Sequence, residues 1–147
     1  MCTKESKTVL FCFLFFHFRE FCKEKQEGER MGTYEISNGV MIYYLPKELD
    51  HYSAECIKRK SEAVFETEKV DYLIFDFKDT VFMDSSGIGL ITGRFRKVHD
   101  AGGQVCVVNV NEGIDKILNM SGIYRIIKKR DTREDIINEM LEGGYYE

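Results

Sequence analysis

The stretch from residue 70 to residue 103 constrains the fold most, because it joins a strand pattern to a helix pattern through a short polar segment. Residues 70–77 form a nearly continuous apolar run, which is typical of a β-strand that is covered on both faces. Beyond residues 83–87, apolar side chains recur at helical spacing from Ile88 to Val98. The glycines at 102 and 103 then end the helix pattern. This order predicts a helix that begins just beyond the end of a buried strand.

The polar segment, which we call the elbow (residues 83–87), is rich in side chains that cap helices. Asp84, Ser85 and Ser86 all accept hydrogen bonds well at a helix N-terminus. Capping alone explains most clusters of this kind, but one such residue is enough and the elbow has three. Glycines follow at 87, 89 and 93, although each costs a helix up to about 1 kcal/mol relative to alanine. The pattern favours a site in which hydroxyl groups are exposed at a helix N-terminus. The small residues would let either a partner or the sheet lie close to this helix.

Strand and helix patterns alternate along the rest of the chain. Asn38-Gly39 favours a tight hairpin, because both turn positions require positive φ. The other strand patterns span residues 34–37, 40–45, 105–110 and 123–127, and the other helix patterns span about 53–67, 111–121 and 132–142, with Gly143-Gly144 ending the last helix. This order predicts an α/β fold with a small, mostly parallel β-sheet, an N-terminal hairpin and about four helices.

Composition excludes several classes of function. Residues 31–147 carry 15 Lys and Arg against 20 Asp and Glu, so the basic surface of a nucleic-acid-binding protein is not expected. The five cysteines form no C-x-x-C pair, which argues against a disulfide framework and a zinc site and fits a reducing cytoplasm. No glycine-rich phosphate loop, pair of catalytic carboxylates or cluster of metal ligands is visible in the sequence. We therefore expect a protein without cofactor or metal that is not an enzyme.

Residues 1–30 differ in composition from the rest of the chain. The apolar run at 9–16 is too short to cross a bilayer and is followed by a Lys- and Glu-rich stretch without a signal-peptide cleavage site. We expect no stable membrane insertion. The favoured interpretation is that Met31 is the true start and that residues 1–30 come from an over-extended reading frame. The alternative is an extension that associates with a membrane surface. The domain is accordingly assigned to residues 31–147.

The sequence around the elbow resembles a known family. Residues 82–89, Phe-Met-Asp-Ser-Ser-Gly-Ile-Gly, continuing through Gly93-Arg94, closely resemble the phosphorylation site of the sporulation anti-sigma factor antagonists of the STAS superfamily. Residues 48–51 with 53–55, and residues 120–123, resemble the same family at the right intervals. The resemblance covers about residues 31–141, is closest to the sigma-F branch, and implies the STAS fold.

The resemblance also implies roles for individual residues. It makes Ser85 the phosphoacceptor and places Asp50 on the surface that faces a kinase. Four further residues are expected to bind the partner: Asp84, Ser86, Gly87 and Arg94. For Asp50, helix capping alone remains an equal alternative. His51 next to it is expected to be merely exposed, because no G-x-S-x-G motif supports a hydrolase triad with Ser85.

The function implied by the resemblance is that of a non-enzymatic switch. The dephosphorylated form binds a serine-kinase anti-sigma factor and frees the sigma factor, and the kinase reverses this by phosphorylating Ser85. A metal-dependent phosphatase of the PP2C type restores the active form. The alternatives are a STAS module that serves a different kinase or scaffold, and a membrane-linked STAS module of an anion transporter.

Overall fold

The computed structural model describes residues 32–142 of the chain. The interpretation of residues 1–30 as foreign to the domain falls outside this range, and so does the predicted helix end at Gly143-Gly144. Both remain predictions.

A five-stranded sheet forms the centre of the fold. The seven strands of the described residues are β1 (Thr33–Ser37), β2 (Val40–Tyr44), β3 (Glu48–Leu49), β4 (Tyr72–Asp76), β5 (Phe82–Met83), β6 (Gln104–Val108) and β7 (Lys128–Lys129). The central sheet has the order β1-β2-β4-β6-β7, antiparallel between β1 and β2 and parallel elsewhere. The predicted hairpin is confirmed, with φ of 49° at Asn38 and 81° at Gly39. The mostly parallel sheet is confirmed as well.

Four α-helices lie in the described residues, as the sequence predicts: α1 (His51–Thr67), α2 (Ser85–Asp100), α3 (Glu112–Met120) and α4 (Arg133–Glu142). The start of α4 agrees with the capping box read from the sequence, since the Thr132 N–H donates to Asp135 and the Asp135 N–H donates to Thr132 Oγ1. Helix α1 begins two residues before the predicted position, because Asp50 rather than a later residue caps it.

The strand predicted at residues 123–127 is wrong. Ile123–Arg125 forms a 3₁₀ helix after Gly122, whose φ is 77°, and the last strand is the exposed pair Lys128–Lys129. The physical reason lies in the spacing of the apolar residues. Ile123 and Ile127 are buried while Ile126 is exposed, so the buried side chains stand four residues apart as on a helix.

Helices cover both faces of the sheet. Helices α1, α2 and α3 pack on one face through residues such as Ile57, Ile91 and Leu118, against the inward side chains of the strands. Helix α4 packs on the opposite face through Ile136 and Met140. The near-continuous apolar run read in β4 is explained by this arrangement, because its successive side chains enter two different cores.

Candidate functional site

A second, two-stranded ribbon positions the elbow. Strands β3 and β5 pair in parallel, with Leu49 opposite Met83, and the Asp84 N–H donates to the Leu49 carbonyl at 3.3 Å. Asp50 and Asp84 directly follow this last pair, so the two aspartates lie side by side at the end of the ribbon. Each is the N-cap of a helix. The ribbon therefore brings the N-termini of α1 and α2 to one place on the surface.

Both aspartates cap their helices. The Ser53 N–H donates to Asp50 Oδ1 at 2.9 Å, and the Asp50 N–H donates to Ser53 Oγ at 3.0 Å, which completes a capping box. Hydrogen bonds from the N–H and from the hydroxyl of Ser53 to the Asp50 carboxylate hold the pKa of Asp50 below its usual value. Asp84 Oδ1 accepts from the Ser86 N–H at 2.8 Å. The capping interpretation is confirmed for Asp50 and Asp84, and both side chains remain partly exposed.

The hydroxyl group of Ser85 is exposed at the elbow. Ser85 is the first residue of α2 and is exposed, whereas Ser86 is partly buried and its N–H is occupied by the cap. The Ser85 hydroxyl makes no hydrogen bond to any residue within 32–142. Since the cap is supplied by Asp84, the hydroxyl of Ser85 has no task in starting the helix. A modification there would add an anion at the positive end of α2, where helix N–H groups and the helix dipole favour negative charge.

The glycines at 87, 89 and 93 serve two different purposes. A Cβ on Gly87 would lie 2.4 Å from Met83 Cγ and 3.0 Å from Leu49 Cδ2, so this glycine lets α2 lie against the ribbon. Gly87 is buried in the domain. That it binds the partner stays a prediction. A Cβ on Gly89 or Gly93 would meet nothing within 4 Å among the described residues. Packing within the domain therefore does not explain these two glycines.

Arg94 also points inward, although the family resemblance predicts that it contacts a partner. Only 3% of the residue is exposed. Its Nη1 donates to Glu62 Oε2 at 2.8 Å and to Ser61 Oγ at 3.2 Å, and its guanidinium lies 5.5 Å from the centre of the Phe65 ring. Arg94 thus joins α2 to α1. The sequence does contain a signal for this, because Arg94 stands three residues after Ile91 and four before Val98, on the buried stripe of α2.

Glu62 is the shared acceptor of this contact between the helices. Its carboxylate receives hydrogen bonds from Lys97 and from Arg94, and these hold the pKa of Glu62 below its usual value. Arg94 is the buried member of the cluster, while Lys97 and Glu62 are partly exposed. The arrangement fixes α1 against α2 some turns behind the elbow, so the two N-termini keep their relative position.

The internal role of Arg94 can be tested by comparison with Arg96, an exposed arginine on the same helix. We expect Arg94→Ala to lower the free energy of unfolding by about 2 kcal/mol or more, because it removes both buried packing and an ion pair. We expect Arg96→Ala to change it by no more than about 0.5 kcal/mol. Urea denaturation of the two variants measures the difference. Small and equal losses would mean that the guanidinium of Arg94 lies in solvent.

Three large apolar side chains beside the elbow were missed by the sequence analysis. Val81 and Phe82, which lead into the elbow, are 64% and 51% exposed, and Tyr52 in the first turn of α1 is 65% exposed. We call these three residues the apolar rim. They make up half of the large hydrophobic residues that are exposed in the described part of the chain. The sequence contains a signal for two of them. Val81, Phe82 and Met83 are three apolar residues in a row before the cap, and in a strand they cannot all point to the same side.

The described residues contain no other candidate chemistry. Within 32–142, no group of three or more His, Cys, Asp and Glu side chains is placed to hold a metal ion. His51 is exposed at the start of α1, as predicted. Among the helices of this range, none has both the length and the apolar character that a membrane span requires.

Comparison with known proteins identifies the class. The STAS domain model matches residues 33–136, so the chain belongs to the STAS domain family. The anti-sigma F factor antagonist of Paenibacillus polymyxa is 30% identical over 106 residues, which are 72% of this chain and 91% of that protein. The anti-sigma-B factor antagonist of Bacillus subtilis is 32% identical over 97 residues, 66% of this chain and 80% of the relative.

Solved structures agree with this assignment. The anti-sigma factor antagonist SpoIIAA in its unphosphorylated form matches with a TM-score of 0.68 and 27% identity, over 76% of this chain and 96% of that one. The Bacillus SpoIIAA in its phosphorylated form matches with a TM-score of 0.61 and 28% identity, over 74% and 98% of the two chains. The predicted STAS fold and the resemblance to anti-sigma factor antagonists are both confirmed.

Proposed function

We propose that this protein is an anti-sigma factor antagonist whose dephosphorylated form binds a serine-kinase anti-sigma factor and thereby releases a sigma factor. The observation that carries the proposal is the exposed hydroxyl of Ser85 at the N-terminus of α2, beside the paired aspartates. The names of the relatives support it, and the SpoIIAA and Paenibacillus matches favour the sigma-F branch over the sigma-B branch.

Phosphorylation of Ser85 by the bound kinase would end the interaction. A phosphate adds roughly −1.5 to −2 charges at pH 7. Inside the protein this charge meets the positive end of the α2 dipole, which tolerates an anion. Outside, it joins Asp50 and Asp84, so the same surface becomes strongly negative. The modification would therefore leave the fold intact and act on the partner through charge. That SpoIIAA shares this fold in both forms supports the interpretation.

This cycle has consequences for catalysis, for dephosphorylation and for location in the cell. The domain itself binds and presents a serine and carries out no chemistry, so it needs neither cofactor nor metal. A separate PP2C-type phosphatase removes the phosphate from Ser85. The kinase, the phosphatase and the sigma factor meet this protein in the cytoplasm.

Two substitutions at Ser85 test the switch. Ser85→Ala leaves the Asp84 cap in place, so we expect a stability change below about 0.5 kcal/mol, normal affinity for the kinase and no phosphate incorporation. Ser85→Asp places a permanent charge where the partner docks, and we expect at least tenfold weaker binding, or about 1.4 kcal/mol. Titration calorimetry with the anti-sigma kinase and mass spectrometry after incubation with ATP give both results.

Ser86→Ala is the matched control for these variants. It should still accept phosphate on Ser85, because Ser86 is partly buried and its contribution to the cap comes from the main chain. Phosphate mapped to Ser86, or equal affinities of Ser85→Ala and Ser85→Asp, would contradict the proposal.

The two unexplained glycines give an independent test. Gly89→Ala and Gly93→Ala fill open space on a helix, so each should raise the free energy of unfolding by about 0.5–1 kcal/mol. If a partner lies against this side of α2, the added methyl groups should at the same time weaken binding of the kinase. Thermal unfolding and calorimetry measure the two opposite effects.

Asn119→Ala is the control for the glycine variants. Asn119 is exposed near the end of α3, and alanine there also improves helix propensity. This variant should gain stability without losing affinity. Unchanged affinity in Gly89→Ala and Gly93→Ala would exclude their side of α2 from the docking surface.

A further inference from the structure

Only two residue pairs form the ribbon, so its register depends on few contacts. A slip of one residue would turn the side chains of one strand to the other face and remove the inward packing of Leu49 or Met83. Asp50 and Asp84 would then no longer lie side by side. Contacts next to the ribbon that resist such a slip therefore matter for the candidate site.

Thr80 makes one of these contacts. It lies in the loop between β4 and β5, and only 1% of the residue is exposed. Its Oγ1 donates to the Pro46 carbonyl at 2.8 Å, which ties this loop to the chain that enters β3. The N–H groups of the next two residues, Val81 and Phe82 of the apolar rim, both donate to the Lys47 carbonyl. The Thr80 hydroxyl thus continues the contact between the two chain segments just before they pair as the ribbon.

All three polar groups of Thr80 are used, each by a different segment of the chain. Besides the hydroxyl, its N–H donates to the Phe77 carbonyl at 3.0 Å, within the turn that follows β4. Its carbonyl accepts from Asn111 Nδ2 at 2.8 Å. Asn111 is the N-cap of α3, and its Oδ1 accepts from the Ile114 N–H at 2.9 Å. Thr80 therefore joins the end of the central strand, the chain before β3 and the start of α3.

Removal of the hydroxyl group alone would loosen the ribbon. Valine has nearly the shape of threonine but cannot donate a hydrogen bond, so Thr80→Val takes away the Thr80 donor from the Pro46 carbonyl. Pro46 is buried, and a buried acceptor that loses its donor is unfavourable. Water can replace the donor only if the two segments separate, and that movement opens the ribbon at its start.

We propose that Thr80 is a positioning residue for the phosphorylation of Ser85. Its hydroxyl holds the ribbon in the register that brings the two aspartates to the elbow, and the kinase meets the exposed serine in that arrangement. The inference rests on the proposed function. Thr80 itself is buried and contacts neither the kinase nor the phosphate, so its effect on the reaction passes through the Pro46 carbonyl and the ribbon.

The experiment compares Thr80→Val with Thr80→Ser and with Ile136→Val, each in the full chain. Serine keeps the hydroxyl group. Ile136→Val removes buried packing from α4 on the opposite face of the sheet, so it lowers stability without touching the ribbon. Hydrogen exchange of the Asp84 N–H, which donates to the Leu49 carbonyl, measures the opening of the ribbon in the protein alone. We expect this N–H to exchange about tenfold faster or more in Thr80→Val and near the wild-type rate in the other two variants.

The second measurement is the phosphorylation of Ser85 by the anti-sigma kinase, at a temperature at which circular dichroism shows every variant to be folded. We expect kcat/KM of Thr80→Val to fall about tenfold or more, because small misplacements of a reacting group slow a reaction strongly. Thr80→Ser and Ile136→Val should stay close to the wild type. The serine variant separates the hydroxyl group from the volume of the side chain, and Ile136→Val separates position from stability.

Several results would overturn the inference. Wild-type exchange at Asp84 in Thr80→Val would show that the hydroxyl does not hold the ribbon, and fast exchange with wild-type kcat/KM would show that the kinase does not depend on the ribbon. Equal losses in Thr80→Val and Ile136→Val would assign Thr80 to stability alone.

A wild type that takes no phosphate on Ser85 would overturn the proposed function and with it the role in phosphorylation, whereas hydrogen exchange would still decide whether Thr80 holds the ribbon. Should Thr80→Val fail to fold, Asn111→Asp tests the same contact from the other side. Aspartate keeps the cap of α3 and removes the donor to the Thr80 carbonyl, and we expect the same two changes.

Discussion

The parallel pairing of β3 with β5 is the interaction on which the candidate site depends. Only two residues of each strand pair, yet this contact decides that α1 and α2 start side by side. Two helix N-termini at one place bring two partial positive charges together, which is unfavourable without compensation. Asp50 and Asp84 supply it, each through a hydrogen bond to its own helix. The site is thus a balanced group of charges, which the proposed phosphate on Ser85 would change strongly.

Much of the fold could be predicted from the sequence, because the elements concerned have clear periods or turn signals. Asn38-Gly39 specified the hairpin, and the apolar run at 70–77 specified the central strand. The ribbon could not be predicted in this way. A strand of two residues has no measurable alternation, and only the tertiary contact between Leu49 and Met83 defines it. The same limit applies to 123–127, where three isoleucines fit a strand and a helical turn equally well.

For the candidate site, the sequence predicts the location of some residues and not that of others. The positions of Ser85 and the two aspartates at the helix starts could be predicted, because capping residues and the family motif indicate the same places. Arg94 and Gly87 are predicted to bind the partner, yet both are buried in the domain, for opposite reasons. A charged residue is expected in water, but the guanidinium of Arg94 finds a carboxylate, a hydroxyl and an aromatic ring between two helices. A glycine in a recognition motif suggests contact with a partner, but Gly87 makes room for a methionine of its own chain.

The two sides of α2 explain why a switch at Ser85 need not deform the protein. One side of α2 is buried against the ribbon, the sheet and α1, and it carries Gly87, Ile91, Arg94 and Val98. At Gly87 there is no space for a larger side chain. Ser85, Gly89 and Gly93 lie on the other side of the helix, where nothing of the described chain covers the glycines. A charge added on the second side meets solvent or a partner, and the packed side resists movement of the helix. Under the proposed switch, a phosphate on Ser85 would therefore oppose binding at the interface and leave the packing within the domain unchanged.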